Sequence, residues 1–255
     1  MQGIVITAII IFFAWLLIRK KSKTEASLEL PLNFKEILDK NVLFYHNLTD
    51  GQKLLFDEKV KDFLSYVRIH GVKTTIDDTD RLLVAASAII PIFNFKDWKY
   101  YNLKDVLIYD DLFNADDFSI TGEGRNIAGM VGDGTMNNIM ILSKHELQQG
   151  FMNKTDKYNT AVHEFVHLLD KSDGATDGIP DNLVDRKEIA PWIRLMHQNI
   201  LEIVKGKSDI NPYGATNQAE FFAVVSEYFF ERPELLSKKH PELFKLLESM
   251  FNPIK

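Results

Sequence analysis

The stretch that most constrains this chain is residues 160–170, TAVHEFVHLLD, an apolar segment that carries two histidines and a glutamate. On a helix, residues four positions apart project from the same face, so His163 and His167 can bind a single Zn²⁺ ion together. Glu164, beside the first histidine, can take a proton from a metal-bound water without being a ligand itself. Burying these groups in an apolar helix without a metal would be costly. The segment therefore predicts a catalytic zinc site on a buried helix.

A catalytic zinc ion needs a third protein ligand and an open position for water. The metzincin pattern requires a glycine and a third histidine at the positions that Asp170 and Asp173 occupy here, so that class is excluded. The remaining histidines are more typical of surface or satisfied core residues than of ligands: His46, His70, His145, His197 and His240. A carboxylate is therefore the expected third ligand.

A second buried helix is predicted within residues 213–231, YGATNQAEFFAVVSEYFFE. Its apolar pattern is interrupted by Glu220 and Glu227, which are seven residues apart and therefore lie on one face. A buried carboxylate without a partner is costly, and a zinc ion bound by two histidines and a glutamate would supply the missing charge. The spacing alone leaves open which of the two glutamates is the ligand.

Together, the two stretches resemble a known family. HEFVHLLD followed by YGATNQAEFFAVVSEYFFERPELL is similar to the Mlc titration factor A family of zinc metallopeptidases, and YGATNQAEFFA also resembles the zinc-site helix of the anthrax lethal factor protease domain. The resemblance extends more loosely from about residue 35 to the C-terminus. It implies that His163, His167 and Glu220 are the zinc ligands and that Glu164 is the general base.

The resemblance to lethal factor also implies a role for Tyr213, whose phenol would donate a hydrogen bond to the oxyanion of a tetrahedral intermediate. The alternative is a turn residue that packs beside Pro212. Glu227 is then left over: it could orient a ligand histidine through a hydrogen bond, or accept from the backbone or an arginine. Asp170, three residues after His167, is a rival for the same orienting role or else structural.

The N-terminal segment differs in composition from the rest of the chain. Residues 3–18, GIVITAIIIFFAWLLI, form an uncharged apolar run that is followed by a basic cluster. As a helix, the chain up to Ile18 would be about 27 Å long, close to the thickness of a bilayer core. A signal peptide would instead place its positive charge before the run. Residues 1–21 are therefore predicted to be a single-pass cell-membrane anchor with a basic flank that stays in the cytoplasm, 22–33 a tether, and 34–255 a cytoplasmic zinc metallopeptidase domain.

Short strands followed by helices predict an α+β domain rather than a doubly wound sheet. The resemblance implies a zincin-like, lethal-factor-like domain with a small sheet and active-site helices. The expected strands are 105–111 and 138–143, and the expected helices are 49–71 with a stop at Gly71, 80–93 with a stop near Pro91, and roughly 155–170, 188–205, 217–231 and 240–251. Residues 120–137 are rich in glycine, which suits turns and short strands. They lack the Lys-Ser/Thr ending of a phosphate loop, so we prefer the turn interpretation.

These patterns predict a membrane-tethered, zinc-dependent peptidase whose substrate is a peptide or protein held along the edge of the strand at 138–143. One alternative is a non-enzymatic, zinc-stabilised regulatory binding module at the membrane, which would not need Glu164 and would close the fourth metal position. Another is a tethered structural protein without metal. The net charge of −6 gives no reason to expect nucleic acid as a partner, and a regulatory protein partner has no residue signature.

Overall fold

The computed structural model describes residues 30–114, 125–132, 134–153 and 155–252, where a small sheet is combined with ten α-helices. Pro31–Lys255 form one compact unit. The predicted membrane anchor and most of the predicted tether lie outside the described residues. Among the helices that are described, none has the length and hydropathy needed to cross a bilayer. The predicted mixture of a small sheet with many helices is confirmed for the domain.

The sheet contains four strands: β1 (Arg68–Gly71), β2 (Asp105–Tyr109), β3 (Gly129–Val131) and β4 (Ile139–Ser143). Their order is β1-β2-β4-β3; the first three in this order run parallel, and β3 runs antiparallel to β4. Both predicted strands are present as β2 and β4, and their apolar side chains are buried, as in Ile108 and Ile141. Strand β3 was not predicted as an individual element, and within the described part of the chain it occupies one edge of the sheet.

Four helices lie in the N-terminal part: α1 (Phe34–Asn41), α2 (Leu43–His46), α3 (Asp50–Tyr66) and α4 (Asp78–Ile92). Helix α3 begins with a capping box between Thr49 and Gln52, so its start agrees with the sequence. Its predicted stop at Gly71 is wrong. The chain leaves the helix after Tyr66 because the next residues pair with β2 as strand β1. Helix α4 ends beside Pro91, as predicted.

The C-terminal part is helical, as expected: α5 (Lys144–Met152), α6 (Thr160–Asp170), α7 (Arg186–Val204), α8 (Gln218–Glu231), α9 (Pro233–Lys239) and α10 (Pro241–Phe251). The sequence indicated α6, α7, α8 and α10 but not α5 or α9. Helices α9 and α10 each begin with a proline, whose fixed φ suits the first turn of a helix and whose missing N–H is not needed there.

Helix α6 lies at the centre of the core, in contact with α4, α8 and β3. Its Phe165 ring packs against the rings of Tyr100 and Phe63, at centroid distances of 5.2 and 5.8 Å. Helix α8 is anchored by Phe222, whose ring lies 5.8 Å from that of Trp192. These buried aromatic contacts fix the two helices that carry the candidate ligands.

Candidate metal centre and active site

The first ligand helix, α6, is set in place by Asn159, a fully buried residue that precedes it. The Asn159 side-chain oxygen accepts a hydrogen bond from the Val162 N–H at 3.1 Å, which caps the helix. The apolar side chains of α6 face the core, whereas His163 and Glu164 remain 8% and 6% exposed and line a cleft. The local sequence therefore produces a rigid helix with its ionisable residues at the wall of that cleft.

The second ligand helix, α8, is capped in the same way by Asn217, which accepts from the Glu220 N–H at 2.9 Å. This cap places the Glu220 side chain in the first turn, facing α6. Its Oε2 lies 3.0 Å from Nε2 of His163 and 3.4 Å from Nε2 of His167. The two imidazole Nε2 atoms are themselves 3.0 Å apart.

These three side chains could hold one metal ion, because a ligand atom of each lies within 4.8 Å of the others. Two imidazole nitrogens and one carboxylate are the donor set of a catalytic zinc site with three protein ligands. The close approach of His163 Nε2 to His167 Nε2 also fits an ion between them, since both nitrogens can then act as acceptors. The residues that are present therefore fit a divalent metal.

Glu227 lies behind His163, on the side away from the cluster. Its Oε1 is 2.6 Å from Nδ1 of His163, and its Oε2 accepts a hydrogen bond of 2.7 Å from the backbone N–H of Asn159. A carboxylate at Nδ1 keeps the proton on that nitrogen and leaves the Nε2 lone pair for a metal. The geometry thus gives Glu227 the contacts that an orienting residue needs.

Asp170 has a different environment. Its Oδ2 accepts from the Gly178 N–H at 2.8 Å, so the carboxylate fixes the loop that follows α6. Gly178 has a φ of +74°, and a Cβ there would lie 2.2 Å from the carbonyl oxygen of Gln218, so this turn requires glycine. Oδ1 of Asp170 and Nδ1 of His167 are both buried and have no hydrogen-bond partner among the described residues.

The electrostatics of the cluster follow from burial and from the pairing of carboxylates with imidazoles. Burial raises the pKa of Glu220, but the hydrogen bonds with His163 and His167 outweigh it and lower the pKa to about 2. Burial opposes the charged form of His163, but the charge of Glu227 and hydrogen bonds with both carboxylates raise its pKa to about 10. Burial also raises the pKa of Glu164. The cluster therefore attracts positive charge.

The cleft beside the cluster has a volume of about 700 Å³ and brings together five of the predicted site residues: His163, Glu164, His167, Tyr213 and Glu220. Tyr213 lies on the 3₁₀ turn Pro212–Ala215 and is 53% exposed. Its ring centroid is 6.0 Å from that of His163. Burial and the charges of Glu220 and Glu164 raise the pKa of its phenol, which therefore stays protonated and able to donate.

The structure corrects the expected substrate strand. Strand β4, which covers most of residues 138–143, lies between β2 and β3 and is not an edge. The edge strand at the cleft is β3, whose Gly129 contributes to the cleft wall. Alternating apolar residues do not distinguish an interior strand from an edge strand, and β3 is only three residues long. The glycine-rich composition of 120–137 was the only sequence signal for it.

The helix pair, with two histidines and a glutamate converging on one cleft, is the arrangement of a metallopeptidase. The chain belongs to the family described as glucose-regulated metallo-peptidase M90, whose model matches residues 15–252. An uncharacterized protein of Synechocystis sp., slr2042, is 30% identical over 234 residues, which cover 87% of this chain and 84% of that protein.

Proteins named Mlc titration factor A are also similar. The protein from Escherichia fergusonii is 30% identical over 219 residues, which cover 78% of each chain. The one from Pectobacterium atrosepticum is 29% identical over 160 residues, a match that spans 58% of each chain. The family predicted from the two sequence blocks is therefore confirmed, whereas the resemblance to lethal factor stays a prediction.

Proposed function

We propose that this protein is a zinc-dependent peptidase, tethered to the cytoplasmic face of the cell membrane, that uses Glu164 as its general base. The observation that carries the proposal is the convergence of two histidines and Glu220 beside a buried glutamate at the wall of one cleft. Among the described residues, the metal-binding group has three members, whereas a structural zinc site usually has four protein ligands. This count favours an enzyme over a zinc-stabilised binding module.

His163, His167 and Glu220 would hold the zinc ion, and Glu227 would keep His163 in the tautomer that binds it. When bound, zinc polarises the scissile carbonyl group and lowers the pKa of a water molecule toward about 7. Asn159 supports this arrangement twice, because it caps α6 and donates its backbone N–H to Glu227.

Glu164 takes the proton from the attacking water as the water oxygen bonds to the carbonyl carbon. The same side chain then gives that proton to the leaving nitrogen as the C–N bond breaks. Burial raises the pKa of Glu164, which makes its carboxylate a stronger base than an exposed glutamate. Tyr213 donates a hydrogen bond from its phenol to the carbonyl oxygen as that oxygen becomes negative.

An extended substrate would pair with strand β3 on the side that does not face β4. The main-chain groups of an edge strand can bind a peptide as an added strand, and β3 lies directly against the cleft. This pairing would present the peptide backbone to Glu164 irrespective of its side chains. Specificity would then come from the other walls of the cleft.

Membrane attachment is proposed from the apolar run at residues 3–18 and its basic flank. Fractionation of cells that express the full chain should place it with the membranes. A variant that lacks residues 1–21 should move to the soluble fraction, and its continued sedimentation with membranes would contradict the anchor.

The test of the catalytic proposal compares the wild type with Glu164→Gln. Both should contain zinc, while the variant should lose peptide hydrolysis by about 10²- to 10⁴-fold, which is the usual contribution of a general base. Glu202→Gln is a matched control, because Glu202 is on the surface of α7 and pairs with Lys205. Substantial residual activity in Glu164→Gln would overturn the assignment of the base.

A further inference from the structure

Gly129 is a residue of the glycine-rich stretch for which the proposed mechanism has no role so far. It is the first residue of β3 and pairs with Leu142 of β4. A Cβ atom at this position would lie 2.7 Å from Cγ, 2.8 Å from Oε1 and 3.0 Å from Cδ of Glu164. The Glu164 side chain therefore fills the space that any larger residue at position 129 would need.

The backbone conformation does not explain why this position is a glycine. Gly129 is not among the glycines with positive φ, so an L-residue could adopt its conformation. Glycine also weakens a strand relative to alanine, because it loses more conformational freedom on folding. A glycine in a strand often marks a close approach by another group, and here that group is the proposed base.

The backbones on both sides of this contact are held in place. Strand β3 is fixed by hydrogen bonds of 2.8 Å from the Ser143 N–H to the Ala128 carbonyl and 2.9 Å from the Gly132 N–H to the Ile139 carbonyl. Lys171, immediately after α6, donates to the Gly132 carbonyl at 3.0 Å and ties the strand to that helix. A Cβ at position 129 would therefore displace the side chain of Glu164 and not the two backbones.

We propose that Gly129 is a positioning residue that sets the location of the Glu164 carboxylate by leaving space for it. This inference rests on the proposed function of Glu164 as the base. Strand β3 would then have two roles: it pairs with substrate, and it forms the surface against which the side chain of Glu164 is held. Any side chain at position 129 would lower turnover and leave the three metal ligands in place.

The first test is Gly129→Ala in the full-length chain. A displacement of about 1 Å at a reacting group can cost up to about a hundredfold in rate, so kcat should fall roughly 10- to 100-fold. Zinc content and KM should change little, because neither the ligands nor the outer side of β3 is altered. An unchanged kcat would overturn the proposal, and so would a loss of zinc.

Gly71→Ala is the matched control, since Gly71 is also a glycine of an edge strand, β1. A Cβ there would lie 2.3 Å from the Thr74 carbonyl oxygen, a contact with backbone far from the ligand cluster. This variant should lower Tm and leave kcat unchanged. A purely structural role for Gly129 would make both glycine variants behave alike, with lower Tm and little effect on kcat per folded molecule.

A double-mutant cycle identifies the residue through which Gly129 acts. Glu164→Asp removes one methylene, so the shorter side chain has less atomic overlap with a Cβ at position 129. The Gly129→Ala substitution should therefore reduce kcat by a smaller factor in the Glu164→Asp background than in the wild type. Equal factors in the two backgrounds would show that the two residues are not coupled and would overturn the proposal.

A crystal structure of Gly129→Ala gives a result that does not depend on activity. The Glu164 carboxylate should be displaced while the ligand cluster keeps its arrangement; an unmoved Glu164 would overturn the positioning role. If the wild type hydrolyses no peptide, the proposed function fails, and the crystal structure still decides whether Gly129 positions Glu164.

Discussion

Two ionic clusters contact different sides of helix α8, and each is reached by one of two consecutive residues of that helix, Glu227 and Tyr228. Glu227 faces the metal-ligand cluster through its contact with His163. Tyr228 donates its hydroxyl to Asp209 at 2.8 Å and so belongs to the other cluster. We define this second group as the Asp209 cluster, which consists of Asp209, Lys157, Tyr228, Lys239 and His240.

The carboxylate of the Asp209 cluster is already paired with side chains of the same chain. Its carboxylate accepts from Lys157 at 2.6 Å, from Lys239 at 3.0 Å and from His240 at 2.7 Å. Burial raises the pKa of Asp209, but the hydrogen bonds with Lys157, His240, Lys239 and Tyr228 outweigh it and hold the pKa well below its usual range. The two lysines already outweigh the single carboxylate in charge, so the cluster does not call for a cation, and it joins the loop before α6 to the C-terminal helices.

The metal-ligand cluster has the opposite balance. Two carboxylates, Glu220 and Glu227, share the imidazole of His163, and the buried Glu164 lies beside them. Burial would lower the pKa of His163, but the neighbouring carboxylates raise it to about 10, so negative charge is in excess around this imidazole. The difference between the two clusters indicates that a charge cluster whose pairs are complete is structural, whereas a buried one with convergent donors at the wall of a cleft is a binding site.

The largest expected effect comes from removing a ligand. Glu220→Ala should lose bound zinc and with it peptide hydrolysis, because only two protein ligands would remain. Glu227→Ala should weaken zinc affinity by about 10- to 100-fold, because it removes an orienting contact and not a ligand. Metal analysis after gel filtration measures both. If Glu227→Ala lost more zinc than Glu220→Ala, the wrong glutamate would have been assigned as the ligand.

The next effect concerns the oxyanion. Tyr213→Phe removes one hydroxyl and should lower kcat by about 10²-fold, the usual effect of losing one oxyanion donor. Zinc content should not change, since the phenol is not among the three side chains of the metal-binding group. Steady-state kinetics on a cleaved peptide are the measurement. A kcat equal to that of the wild type would show that Tyr213 has no catalytic role and is only a residue of the 3₁₀ turn.

A substitution in the Asp209 cluster should change stability and not zinc content. Asp209→Asn should lower the free energy of unfolding by about 1–3 kcal/mol, because it replaces hydrogen bonds between charged groups, while zinc content stays the same. The pKa of Asp209 is lower in the folded state, so this stabilisation is present above its usual pKa of 3.8 and is lost as the pH falls below it. Denaturant titrations at several pH values measure both effects.

Asp62→Asn is the control for this comparison, since Asp62 pairs with Lys99 at the surface, where such a pair contributes at most about 1 kcal/mol. Loss of zinc in Asp209→Asn, with the fold intact, would contradict the division between a structural cluster and a metal site.

A smaller effect is expected at Glu231, a third carboxylate of α8, which accepts from the neutral amide of Asn159 at 3.0 Å. Burial raises its pKa from 4.5 to about 7. The folded state therefore keeps the proton longer than the unfolded state, so stability falls as the pH rises between these values. Glu231→Gln should abolish this decrease, which we expect to be about 1–2 kcal/mol because the side chain is partly solvated. An identical pH dependence of stability in the wild type and in Glu231→Gln would contradict this role of Glu231.

Much of the site could be predicted from the sequence because its geometry is local. The spacing of His163 and His167 on one helix fixes their common face, and the apolar residues around them indicate burial. The family resemblance added Glu220. The sequence left the partner of Glu227 open between a ligand histidine and a backbone or arginine donor, because its contact with His163 depends on how α6 and α8 pack together.

Other features depend on contacts that sequence patterns do not encode. The Asp209 cluster draws its members from separate segments, and β3 is too short to show an alternating pattern. The sequence does not distinguish Gly129 from the neighbouring glycines, because its role depends on the side chain of Glu164 on another element. Helix α3 was predicted too long because its pattern continues into residues that pair as β1.

The most direct test of the central claim is the zinc content of the purified protein, measured together with peptide hydrolysis before chelation, after chelation and after zinc is added back. One zinc ion per chain, with hydrolysis that chelation abolishes and zinc restores, is the predicted result. A protein that contains no zinc, or that hydrolyses peptides equally well after its metal has been removed, would contradict the account.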